Sequence, residues 1–179
     1  LSTVSPEAEQ SLGEVLERHR KAKQHVEARL AGGHGQERAG ACFDRLLARS
    51  GDLEPCKPIP IHGALDWDCI VRSGERWELY RFERSRRSHP GLDLGAFLAD
   101  LLRFHTLRSK GDPGLREASR EAFLESYFEG PRPPWSRDLD WFVAGALLER
   151  LDRMLRRKEA KWAPKVDPLL DEIERTLAT

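Results

Sequence analysis

The chain has 179 residues, 34% charged and 39% hydrophobic, with 30 basic residues balanced by 30 acidic ones. That length suits one domain around a single apolar core. Zero net charge leaves no global field to draw in nucleic acid or an anionic membrane, and no apolar run approaches the length of a transmembrane helix.

In chain order, Ser5-Pro6 sets a helix start, with Ser as cap and Pro at the first helical position. Leu12, Val15, Leu16, His19, Ala22, Val26 and Leu30 then recur at helical spacing. The stretch AGGHGQERAG, Ala31 to Gly40, is expected to break that helix as a flexible loop. Phe43, Leu46 and Leu47 mark a short second helix, and the prolines of LEPCKPIP favour extended chain after it. Cys69 to Val71 and Trp77 to Phe82 read as two strands about a turn with Gly74 at its tip, a small β-hairpin inside a helical chain. Asp93 is placed to cap a helix running to about Leu107. GDPG separates it from a helix carrying Leu115, Ala118, Ala122, Phe123 and Tyr127, and EGPRPPW forms a loop. Ser136 or Asp138 is placed to cap a long helix holding Phe142, Leu147, Leu151 and Leu155, and a last helix carries Val166, Leu170, Ile173 and Leu177. The predicted fold class is mainly α with a small β-hairpin, an α+β chain without internal repeats.

The first ten residues lack the basic start and apolar centre of a secretory signal, and a start at Leu1 rather than Met fits a fragment or a processed product. Cys42, Cys56 and Cys69 are odd in number and share no metal-ligand spacing, which reads as a reduced, cytoplasmic setting.

HGALDWDCIV, His62 to Val71, followed by WELYRFERSRRSHPGLDLGAFLADLL, resembles the aminoglycoside phosphotransferase-like family of small-molecule kinases, with its choline-kinase-like and protein-kinase-like relatives. The family carries His-Gly-Asp-Leu-His-x-x-Asn in its catalytic loop. A hairpin follows, ending in Asp-Phe-Glu or Asp-Trp-Glu, and then Gly-x-Pro-x-x-Asp-Leu-Ala opens a buried helix. Order and spacing agree from about Phe43 to Leu177. The resemblance implies a kinase-like C-terminal lobe over residues 41–179, preceded over residues 1–40 by the N-terminal helix and the glycine-rich loop. The family's β-rich N-terminal lobe, with its lysine and phosphate loop, has no counterpart in these residues.

The correspondence runs residue by residue. His62 and Gly63 match the family's His-Gly, and Asp93 matches the aspartate that opens the buried helix. By the resemblance, His62 and Asp93 are structural residues that tie the loop to that helix. Ala64 falls at the catalytic aspartate, Cys69 at the metal-binding asparagine and Arg81 at the metal-binding aspartate, while Phe82 and Glu83 match the next two positions. Phosphoryl transfer needs a carboxylate to orient the attacking hydroxyl and oxygen ligands to hold magnesium. Alanine accepts no proton, a thiol is too soft a ligand for magnesium, and a guanidinium repels a second cation. The resemblance therefore implies a pseudokinase-like module that binds or regulates, without catalytic residues, a metal or a cofactor.

The alternative is an active ATP- and magnesium-dependent small-molecule phosphotransferase in which Asp66, Asp68 or Glu83 takes displaced roles. A one-residue displacement moves a carboxylate by roughly 3.5 Å along the chain, more than productive geometry tolerates. Asp66 and Asp68 thus read as solvated or capping loop acids, and Glu83 as a partner for a neighbouring arginine. Cys69 reads as a small buried residue, His89 and His105 as helix-face or surface residues, and Trp67 as packing.

Two basic clusters remain. Arg81, Arg84, Arg86 and Arg87 lie where the family binds phosphate and are candidates to hold an anion without metal, with Arg81 replacing the lost ion. The group from Arg153 to Lys165 reads as a solvated helix end, and nucleic-acid binding through it is disfavoured by the zero net charge. The expected partner is a protein, a missing N-terminal segment of a larger polypeptide, or a second copy, because a lobe without its neighbour exposes apolar surface.

Overall fold

The computed structural model describes residues 9–108, 113–157 and 162–178. The helices among them are α1 (Leu12–Arg29), α2 (His34–Ala48), α3 (Gly91–Arg108), α4 (Pro113–Phe128), α5 (Leu139–Arg156) and α6 (Ala163–Ala178). Between α2 and α3 the chain forms two antiparallel pairs: β1 (Ile59–Ile61) with β4 (Arg86–Ser88), and β2 (Ile70–Ser73) with β3 (Arg76–Leu79). Ile61 lies opposite Arg86, and Ile70 opposite Leu79. The chain is mainly helical with a small hairpin, as its periodicities predict. None of the described helices is long and apolar enough to cross a membrane.

Helix α5 is apolar on nearly every face: Trp141, Phe142, Val143, Ala144, Leu147, Leu148 and Leu151 are all buried. A helix of that kind must be covered all round, and α1, α2, α3 and α6 cover it. Val15 and Val26 of α1, Phe43 and Leu46 of α2, Leu94 and Leu98 of α3, and Leu170 and Ile173 of α6 join it in one core. Trp141 Nε1 donates to the Leu46 carbonyl at 2.8 Å, so even the polar atom of the largest core side chain has a partner.

Three expectations are corrected. Residues 9–11 do not belong to α1: Gln10 N donates to Arg87 O at 2.9 Å, and Glu9 bridges Arg87 in parallel register. The helix begins instead after Ser11, whose hydroxyl accepts from Glu14 N while the Glu14 carboxylate accepts from Ser11 N. This Ser-x-x-Glu capping box was legible in the sequence; the Ser5-Pro6 start lies outside the described residues. Second, AGGHGQERAG is mostly helix. Only Leu30–Gly33 connect α1 to α2, because Ala39 is buried in the core and Arg38 is held from α6 by Asp167, Asp171 and Glu174. Third, Asp138 occupies the cap position of α5 without capping it, and its Oδ2 accepts from Glu54 N at 2.7 Å. The β1/β4 pair was not predicted, since the Arg-Arg-Ser of β4 shows no apolar alternation.

The close approach of α3 to α5 requires glycine. A Cβ at Gly95 would lie 2.6 Å from the backbone carbonyl carbon of Phe142. Gly95→Ala gains up to about 1 kcal/mol in helix propensity, but overpacking against backbone costs about 1–3 kcal/mol or more. Urea denaturation should show Gly95→Ala less stable than the parent, with an unchanged m-value.

Candidate functional site

The loop after β1 is shaped from below by α3. Asp93, in the first turn of that helix, accepts from His62 N through Oδ2 at 2.5 Å and from Gly63 N through Oδ1 at 2.9 Å. About two helical turns further on, the buried Asp100 accepts from Trp67 N through Oδ2 at 3.2 Å. Its Oδ1 pairs with Arg150 of α5 at 3.1 Å and with Arg103 at 3.2 Å. Two acids on one buried face of α3 thus satisfy three loop amides. Asp100 and Arg150 escaped the sequence reading. Their signal was an acid inside the apolar run Leu98 to Leu102 and an arginine inside a buried helix, both of which need partners.

Gly63 adopts φ +80°, and a Cβ there would lie 2.2 Å from the Arg84 carbonyl oxygen, so the turn admits only glycine. His62 is buried, and its Nε2 donates to the Tyr80 carbonyl at 2.6 Å. Since a carbonyl only accepts, the proton sits on Nε2, and Nδ1 is buried without a partner. The ring packs edge-on against Phe82 with centroids 5.0 Å apart, joining the loop to the exit of the hairpin. Burial raises the Asp93 carboxyl, opposed by the two amides it accepts.

The residues that the resemblance aligns with catalytic positions, and their neighbours, fall as follows. Ala64 contributes its carbonyl, which accepts from Cys69 Sγ at 3.4 Å. The same thiol donates to Asp66 Oδ1 at 3.1 Å. Burial and then the Asp66 carboxylate push the Cys69 thiol up, which leaves it protonated and a poor nucleophile. Asp68 is exposed in a short 3-10 turn, Trp67–Cys69. Trp67 is exposed on one side and packs on Phe97 with centroids 5.0 Å apart. Arg81 has left-handed backbone, φ 68°, and its side chain is exposed, with Nε 3.8 Å from Glu83 Oε1. The guanidinium that reaches the loop is that of Arg86, whose Nη2 donates to Gly63 O at 3.1 Å. Arg84 is exposed, and Arg87 Nη2 donates to Pro58 O at 2.8 Å. His89 stacks on Phe142 at 4.5 Å and burial lowers its pKa, whereas His105 is buried rather than on the surface.

Beneath Arg86 lies a second charged group. Glu149 of α5 accepts from Arg18 Nε at 2.7 Å and lies 3.1 Å from His19 Nε2. Burial alone would raise its carboxyl, but the His19 hydrogen bond and the Arg18 charge outweigh that and hold it at about 2.

The donor set does not fit magnesium. Among the described residues no three His, Cys, Asp or Glu side chains gather as a metal site. The thiol at Cys69 donates rather than ligates, Asp66 is taken by that thiol, and the exposed Glu83 has only Arg81 beside it.

No protein-family model matches the chain, and no curated protein does. Solved structures do. Glucosamine kinase in complex with glucosamine, ADP and inorganic phosphate superposes with a TM-score of 0.68 at 16% identity, over 93% of this chain and 48% of that one. Two further crystal forms of glucosamine kinase each give 0.64, at 15% and 16% identity, over 91% of this chain and 46% and 44% of theirs. The chain thus has a kinase-like phosphotransferase fold and spans about half the length of these neighbours. At such identity the likeness is one of fold alone.

Two outcomes follow from the anchoring. Asp93→Ala leaves two amides of the loop without an acceptor and should cost about 2–4 kcal/mol in chemical denaturation, whereas Asp93→Asn keeps an acceptor oxygen and should cost less. Glu149 is depressed, so its stabilisation is complete above the unfolded value of 4.5 and lost as pH falls towards about 2. Asp93, being raised, acts in the opposite sense, but it cancels when Glu149→Gln is compared with the parent. The difference in denaturation midpoint between the two should shrink steadily as pH is lowered through that window.

Proposed function

We propose that this chain is a non-catalytic, kinase-like module that acts by binding or regulation. The observation that carries the reading is the loop itself. Its frame, His62 and Gly63 on Asp93, is complete, while the position after Gly63 is an alanine and the neighbouring Asp66 is hydrogen-bonded to a thiol. A hydroxyl brought to this loop would meet no free carboxylate at Ala64, and a magnesium ion would meet a donor set it disfavours.

The partner is a protein, or a preceding segment of a longer polypeptide, seated on the hairpin. Every residue of β3 is exposed, and Trp77, Tyr80 and Phe82 are 69%, 46% and 42% accessible. Exposed aromatic side chains on a hairpin and at its exit are typical of contact faces. Two features support the hairpin as the face. The chain spans about half of its structural neighbours. Glu9 bridges Arg87 of β4 in parallel register, so the N-terminal end of the described chain lies beside the strand that follows the hairpin. A second copy of the chain is the other candidate occupant.

The competing reading is an active phosphotransferase that uses Asp66, Asp68 or Glu83, with the nucleotide held by residues outside this chain. Its support is the neighbour bound to glucosamine and ADP. An ADP-production assay with magnesium and with manganese, across hydroxylated small molecules including glucosamine, separates the two. The expected result is no turnover above background. Turnover that is abolished by Asp66→Asn or Asp68→Asn would overturn the non-catalytic reading.

A further inference from the structure

The arginines after the hairpin do not act as one cluster. Arg87 donates to Pro58 O, and Arg81 has Glu83 beside it. Arg84 and Arg86 have no carboxylate partner among the described residues. Arg86 is half-buried against the Gly63 turn, where Gly63 O takes one N–H and Nε is buried with no acceptor at all. The carboxylates close by are already engaged: Asp93 by two amides, and Glu149 by Arg18 and His19. Burial and then the charge of Arg18 press the Arg86 guanidinium down, Asp93 and Glu149 oppose this, and Arg84 adds a further push. Arg86 therefore carries a buried donor that lacks an acceptor beside the Gly63 turn.

We propose that Arg86 and Arg84 form a metal-free binding site for a phosphate group beside the Gly63 turn. A guanidinium presents a planar fork of donors that matches phosphate oxygens. Two forks together need more acceptor oxygens than one carboxylate offers without sharing, and a phosphate supplies them along with up to two negative charges. The same positive excess repels a divalent cation, so magnesium does not compete for the place. The site does not depend on the docking face above: either stands without the other.

The test is calorimetric titration with inorganic phosphate and, separately, with ADP, both in EDTA. Binding of both points to the bare phosphate group, and binding of ADP alone points to the phosphate of a nucleotide; either supports the site provided the arginines carry it. Arg84→Gln and Arg86→Gln should each weaken binding about tenfold or more, and Arg76→Gln, on β3, should leave it unchanged. Arg84 is exposed, so its variant keeps the fold, checked by circular dichroism, and it decides the matter if Arg86→Gln unfolds. No binding of either ligand overturns the proposal. So does binding that survives Arg84→Gln, or binding that Arg76→Gln weakens equally, since that would be general electrostatic attraction.

Discussion

One buried carboxylate anchors the His62-Gly63 turn that opens the loop. Asp93 stands where α3 begins and takes the amides of His62 and Gly63, one on each oxygen. Peptide N–H groups taken out of water need acceptors, and a loop between β1 and the hairpin has no ladder to supply them. The carboxylate does so at a cost, since burial disfavours its charge. With the two amides held, Gly63 turns with positive φ, His62 lies on Phe82, and the Arg84 carbonyl and the Arg86 guanidinium lie against the turn.

Charge is organised in layers around that anchor. Asp100 with Arg150 and Arg103, and Glu149 with Arg18 and His19, link the loop-bearing helix and α1 to the apolar α5. Such largely buried pairs add little net stability beyond what apolar replacements would give, but removing one partner leaves the other charge buried and uncompensated. The kinase-like fold is held through them, while Ala64, Cys69 and Arg81, which the family resemblance aligns with catalytic positions, carry a methyl group, a protonated thiol and an exposed guanidinium. The proposed role as a binding module rests on that contrast between the anchored frame and the residues at the aligned positions.

Much of this arrangement was legible beforehand. The helical spacing of apolar residues in α1, α5 and α6 and the two short strands on either side of Gly74 are local properties of the chain, and they placed the helices and the hairpin. His62, Gly63 and Asp93 stood out by motif. The glycine-rich stretch misled, because glycine lowers local helix propensity while burial of Ala39 and the α6 acids around Arg38 restores the helix from a distance. Asp100 and Arg150 went unread because neither has a local partner; their pairing spans two helices.

The sequence by itself determined the order of helices, the place of the hairpin, the His62-Gly63 turn and the alanine that follows it, since each depends on residue identity or short-range spacing. Only the tertiary structure decided which arginine meets the loop. Arg81 and Arg86 are equivalent as letters in a basic run, but strand pairing of Ile61 with Arg86 carries one guanidinium to the Gly63 turn, while the left-handed backbone at Arg81 leaves the other in solvent. Register between strands and contacts between distant helices are long-range facts, set by what the core buries rather than by neighbours in the chain.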